Sequence, residues 1–211
     1  MEALTTKRQN ESTTSRGRGR PRSEVSRQRI LEAALETLQV SGFTSSTTDL
    51  IAERAGASKA TIYRWWPTKA SLLAEALREA VAHEVPFPET GDLAIDIELQ
   101  LQNFIALLNG RLGRAFKAFV GAAQSDPEVA AAFLEEWVKP RRKEAKTVLE
   151  RYKMNDQIAP DIDLDFVLDL LYGPLYFRLL SGYGALTPEY AKQITGFALN
   201  GLAPQREHSI P

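Results

Sequence analysis

The chain has no cysteine among its 211 residues. That excludes disulfides, cysteine-ligated zinc, iron–sulfur clusters and thiol catalysis together, and fits a reducing compartment. Histidine is almost as scarce: His83 and His208 lie far apart and without metal-ligand spacing. No P-loop is present, and Gly17-Arg18-Gly19 lacks both a third glycine and a preceding strand. Asp161, Asp163 and Asp165 crowd a helix start, where the helix dipole accounts for them. The expectation is a protein without catalytic residues, metal or cofactor. Long apolar runs are missing as well. Phe166–Leu180 is broken by Asp169 and Arg178, and Met1–Pro21 is polar and basic with no signal-peptide core. Membrane insertion is not expected, and the cytoplasm is the expected location. Neither strand-like alternation nor an internal repeat occurs.

What is present is an ordinary globular composition, 44% hydrophobic and 25% charged, long enough for one or two domains with a substantial core. The net charge of −1 conceals an asymmetry. Residues 1–83 hold 13 Lys/Arg against 9 Asp/Glu, a net of +4, whereas residues 84–211 hold 13 against 18, a net of −5. A basic half beside an acidic one suggests that only the first faces nucleic acid.

Residues 1–22 carry only Met1, Ala3 and Leu4 as apolar side chains outside Pro and Gly, too few to fold, and read as a disordered basic arm. From Ser23 the period becomes helical, with Ile30, Leu31, Ala34, Leu35 and Leu38 on one face and Gly42 as the stop. Short helices follow over Thr48–Ala55, capped by Thr47 or Ser46, and roughly Lys59–Trp65, capped by Ser58, with Gly56 as the break between them. Pro67 and Thr68 then open a fourth helix, whose face is Leu72, Leu73, Ala76, Leu77 and Ala80. These elements predict a helical domain over 23–83, whose Thr47–Lys69 stretch makes it the candidate DNA-binding domain. After a Pro-rich linker at Val85–Gly91, helices are predicted over 93–109, 112–125, 127–153, 163–181 and 188–202, making a second domain over 92–204. Asp126-Pro127 and Thr187-Pro188 mark two of the starts. The fold class is all-α, with about nine helices.

Thr47–Lys69 is the most informative stretch. Two short helices flank a glycine turn, and Ile51, Ala55, Ile62 and Trp66 are spaced to lock them together. Lys59, Ala60, Thr61 and Arg64 are then left facing outward, as in a recognition helix entering the major groove. This stretch, with the flanking helices, resembles the DNA-binding signature of the tetracycline-repressor (TetR) family over about residues 23–80. The resemblance implies that Thr47 and Thr48 hold phosphate at a helix N-terminus. It also implies that Lys59, Thr61 and Arg64 read bases, and that Tyr63 and Lys69 contact phosphate. Trp65 departs from the histidine or tyrosine often found there, so its indole either donates to phosphate or simply packs.

Arg16-Gly17-Arg18-Gly19-Arg20-Pro21-Arg22 resembles an AT-hook, with Arg18 and Arg20 as candidates for an A·T-rich minor groove. The alternative for the arm is a solubilising tail that meets phosphates alone. Helix 163–181 is apolar nearly all round and must be covered on more than one side. It is therefore either the central helix of a monomer or part of a homodimer interface. The dimer candidates are Leu168, Leu175, Leu179, Tyr190, Ile194 and Phe197. Phe104, Leu108, Phe116, Phe119, Trp137, Tyr172 and Phe177 either line an effector cavity or form plain core. The family resemblance implies a homodimer on an inverted-repeat operator in double-stranded DNA, released by a small-molecule effector. The competing function is an architectural protein with a nonspecific or A·T-preferring mode of binding.

Overall fold

The computed structural model describes residues 20–202, all-α, with no strand among them. Residues 1–19, and with them Arg18 and most of the basic arm, lie outside the described residues. The first helix, α1 (Arg20–Ser45), begins three residues earlier than its apolar period suggests. The AT-hook candidate Arg20 thus has helical backbone. The helix is interrupted at Gly42, whose φ of 72° and ψ of 177° turn the chain where the sequence predicts a stop.

α2 (Thr48–Ala55), α3 (Lys59–Trp65) and α4 (Lys69–Glu84) follow, each with an N-cap whose side-chain oxygen accepts a backbone N–H: Thr47 from Leu50, Ser58 from Thr61, Thr68 from Ser71. Ser46, the other cap candidate, is buried instead and donates to the Gly42 carbonyl (2.6 Å). The second half contains α5 (Leu93–Asn109), α6 (Arg111–Ala123), α7 (Pro127–Phe133), α8 (Lys139–Met154), α9 (Leu164–Ser181) and α10 (Pro188–Leu202). Helices α7 and α8 are one rod joined by a π turn at Leu134–Val138, where the Lys139 N–H reaches back five residues to Leu134. The apolar period shows this rod as a single helix but gives no sign of the widened turn. Pro140 supplies the reason, because it offers no N–H to the Glu136 carbonyl and its ring crowds that oxygen.

One hydrophobic core runs through both halves, from Ile30, Leu38, Ile51 and Ile62 to Phe116, Phe119, Leu171 and Leu175. Helix α1 packs on α2, α4 and α6, and α4 packs on α7 and the π turn, so the N-terminal domain is seated on the second one rather than tethered to it. At the α5–α6 corner Gly113 admits a backbone approach that no other residue allows. A Cβ built there would stand 1.8 Å from the Leu108 carbonyl oxygen.

Candidate nucleic-acid interface and ligand cavity

The turn between α2 and α3 is fixed by three independent devices. Gly56 adopts φ 59°, ψ 39°, a left-handed conformation that costs glycine least, and its N–H and that of Ala57 close on the Ala52 and Glu53 carbonyls. Ile51, Ala52, Ala55, Ile62 and Trp66 are buried beneath it. From α1, Arg29 donates to the Ala55 carbonyl at 2.7 Å, placing a cation at the C-terminal end of α2. A second cluster locks α3 and α4 to α1: Glu75 accepts from the Trp66 indole and pairs with Arg27, which also reaches Glu79 at 2.6 Å. Sequence reasoning missed both arginines, since their partners lie 26 to 52 residues away.

This frame brings predicted DNA-contacting residues of α2 and α3 close together. The Tyr63 hydroxyl stands 3.3 Å from the Thr48 hydroxyl, and Tyr63 is 49% exposed. Thr47 caps α2 immediately alongside. Arg64 is exposed and forms no ion pair among the described residues. Lys59 is exposed too, but it does not project freely. Its ammonium lies 2.6 Å from Asp49, and that hydrogen bond and charge hold its pKa up. The Thr61 hydroxyl, half-buried, is 2.9 Å from Ser58 and belongs to the cap of α3. Trp65 is 38% exposed and leans on Trp66, ring centroids 6.3 Å apart. Lys69 sits in the first turn of α4, half-buried. It donates to the Phe43 carbonyl (3.1 Å) and lies 4.3 Å above the Phe43 ring, leaving two of its three N–H donors for other partners.

The second domain holds a cavity of about 370 Å³ between the α7–π–α8 rod and helices α5 and α9. Of the seven predicted lining residues, Phe104, Trp137 and Tyr172 are in its wall. Leu108, Phe116 and Phe119 are buried core and do not reach it. Phe177 points away and is 60% exposed. A helical period locates a buried face but not the hollow within it, which accounts for the mixture. The wall also contains Phe87, in the loop read as a linker, and Arg141, Arg142 and Asp169. Arg178, the odd charge of α9, takes no part. It donates to the Ala185 carbonyl (2.6 Å) and lies over the Tyr190 ring, closing the α9–α10 loop. Asp169 pairs with Arg142 at 2.6 Å.

Comparison with known proteins agrees with this geometry in both halves. Residues 30–76 match the pattern of "Bacterial regulatory proteins, tetR family", and residues 87–198 match "Tetracyclin repressor-like, C-terminal domain". The chain belongs to the TetR family. The HTH-type transcriptional regulator YdeS of Bacillus subtilis (strain 168) is 35% identical over 185 residues, 88% of this chain and 93% of that protein. AqdR of Rhodococcus erythropolis, another HTH-type transcriptional regulator, is 28% identical over 70% of each chain. The crystal structure of the TetR-family regulator SCO0332 superposes with a TM-score of 0.76 at 32% identity, covering 85% of this chain and 99% of that one.

The protein is thus a DNA-binding transcriptional regulator, and TetR-family regulators act as dimers. Its α9 and α10 carry a suitable face: Phe166, Leu170, Phe177, Leu180 and Phe197 are exposed, Phe197 to 82%. The dimer candidates read from sequence divide across this boundary. Leu168, Leu175 and Ile194 are buried within the chain, Leu179 and Tyr190 are half-buried, and only Phe197 stands fully out. An all-round apolar helix gives no sequence cue to which side faces home. Among the described residues no helix is long and apolar enough to cross a membrane.

Proposed function

We propose that this TetR-family regulator is a cytoplasmic homodimeric repressor that binds an inverted-repeat operator and is released by a small molecule held in the α5–α9 cavity. The observation that carries the effector step is the position of α4. Its first residue, Lys69, belongs to the candidate DNA face, and its C-cap, Val85, is held from the cavity wall. Arg141 lines the cavity, donates to the Val85 carbonyl (3.2 Å) and covers the ring of Phe87, which lines the same cavity. A helix of 16 residues spans about 24 Å, so a ligand that moves Arg141 or Phe87 shifts a lever whose far end carries Lys69. Two states differing in that lever also differ in the separation of the two α3 helices. Half-sites about 34–36 Å apart are matched by one state only, and the ligand selects the other.

On the DNA side, Arg64 reads a base, the Thr47–Thr48–Tyr63 group and Lys69 hold phosphate, and Trp65 packs on Trp66 at the edge. Lys59, tied to Asp49, acts on DNA after exchanging that partner. The exposed α9–α10 face pairs with its symmetry mate.

Selection from random duplex DNA with the purified full chain, at about 150 mM salt, tests this reading. Recovery of a two-fold symmetric sequence is expected. Recovery of A·T-rich sequence without symmetry refutes it in favour of an architectural protein acting through the arginine arm.

A further inference from the structure

The cavity wall specifies more than an apolar guest. Its surface is built from six aromatic rings, Phe87, Phe104, Phe133, Trp137, Tyr172 and Tyr176, and Phe133 and Trp137 are nearly parallel at 8°. Aromatic walls favour a flat aromatic occupant through stacking and edge contacts. The charges at the wall are already matched. Arg142 pairs with Asp165 (3.0 Å) and Asp169 (2.6 Å), and Asp169 is the carboxylate of the lining. Arg141 pairs with Glu144 at 2.8 Å besides holding the Val85 carbonyl. A charged ligand would have to compete with these pairs, whose arginines are partly buried and already partnered by carboxylates that reach the solvent.

The opening for a polar group lies next door. A niche of about 30 Å³ adjoins the cavity and shares Phe87, Ala145, Leu168 and Tyr172 with it. Gln100 lines the niche, only 5% exposed, and neither its amide nitrogen nor its amide oxygen has a hydrogen-bond partner. The Tyr172 hydroxyl is close by without meeting it in bonding geometry. One turn earlier on α5, Asp96 faces the same niche but is fully engaged by Thr90 and Tyr152. Gln100 is therefore an unused donor–acceptor pair in a niche beside the aromatic chamber. A buried amide left unpaired is destabilising, and a ligand hydroxyl or carbonyl removes that penalty.

We propose that the cavity binds a neutral, planar aromatic molecule bearing a hydroxyl, carbonyl or amide group, with its rings among the aromatic walls and its polar group on Gln100 and the Tyr172 hydroxyl. This rests on the effector-cavity reading above and names the ligand class it lacks.

Calorimetric titration of the full chain with 2-naphthol, 2-naphthoate and 2-methylnaphthalene, each at up to about 1 mM, tests it. The three share a ring system and differ in the group offered to Gln100: neutral and polar, anionic, or apolar. The wild type is expected to bind 2-naphthol about tenfold more tightly than 2-naphthoate. Gln100→Leu is expected to weaken 2-naphthol about three- to tenfold and to leave 2-methylnaphthalene unchanged or tighter, which also shows that the variant keeps its cavity. Equal or tighter binding of 2-naphthoate, equal loss of both neutral compounds in Gln100→Leu, or no binding of 2-naphthol overturns the proposal. Repeating the titration with the selected DNA duplex present separates the two readings. Naphthol that binds without lowering DNA affinity refutes the effector role and leaves the ligand class standing. DNA release by naphthoate alone does the reverse.

Discussion

Asp96→Asn is the substitution for which the structure gives the most determinate consequence. The Asp96 carboxylate is buried and accepts from the Thr90 backbone N–H (2.9 and 3.0 Å to its two oxygens), the Thr90 hydroxyl (2.6 Å) and the Tyr152 hydroxyl. It thereby fastens the loop after Phe87, helix α5 and helix α8 around the Gln100 niche. Burial pushes the carboxyl up, but the bonds from Thr90 and Tyr152 outweigh burial and leave it below the ordinary carboxylate value. Burial and the Asp96 charge likewise push the Tyr152 hydroxyl up to about 12, so the phenol stays a donor. An amide keeps one acceptor oxygen but turns an N–H toward a donor that then has no partner. Hydrogen bonds to a charged group contribute about 1.5–3 kcal/mol each, and losing one while orphaning its donor costs about 2–4 kcal/mol in all. For a chain of this size that lowers Tm by about 5–15 °C. The pH dependence has a definite sign. The folded-state pKa lies below the unfolded one, so the stabilisation is complete above the unfolded value, near 3.9, and is lost as pH falls through the folded value. Urea unfolding followed by circular dichroism should show a gap between wild type and variant that is flat from about pH 7 to 5 and narrows below about pH 4. A gap under about 1 kcal/mol at neutral pH, or one that widens on acidification, refutes the reasoning.

Gly113→Ala places a methyl group against the Leu108 backbone, which cannot yield as a side chain would. A loss of about 3 kcal/mol or more by urea unfolding is expected, and a loss under about 1 kcal/mol contradicts it. Lys69→Ala should weaken binding to all sequences similarly and reduce the salt slope by about one unit, whereas Arg64→Ala should relax preference at one base position at a cost of about 1–3 kcal/mol; filter binding over a salt series distinguishes them. Phe177→Asp should convert the dimer to monomer in sedimentation, and an unchanged dimer would remove α9 from the interface. Arg141→Met should preserve DNA affinity while blunting ligand-induced release in the same binding assay; full release would show that α4 is not driven through Val85.

Helix positions were legible in the sequence because caps and turns are local devices. Thr47, Ser58, Thr68, Asp126 and Gly56 each sit where their own side-chain oxygen or backbone conformation ends or starts an element. The candidates Thr47, Thr48, Tyr63 and Arg64 could be named for the same reason, since they lie on or beside two short helices joined by one turn. What the sequence concealed depends on partners far along the chain. Arg29 acquires its role from a carbonyl 26 residues away, Arg141 from one 56 residues away, and Asp96 from a tyrosine 56 residues away. The cavity illustrates the limit best. Phe104 and Phe116 both lie on apolar helix faces, yet one borders a hollow and the other fills the core. Nothing in the sequence singles out Gln100. In three dimensions both its amide atoms are buried and unpartnered in the niche beside the chamber. Arg64, exposed on an otherwise packed helix, and Gln100, buried without a partner, are the residues on which the proposed DNA and ligand specificity rest.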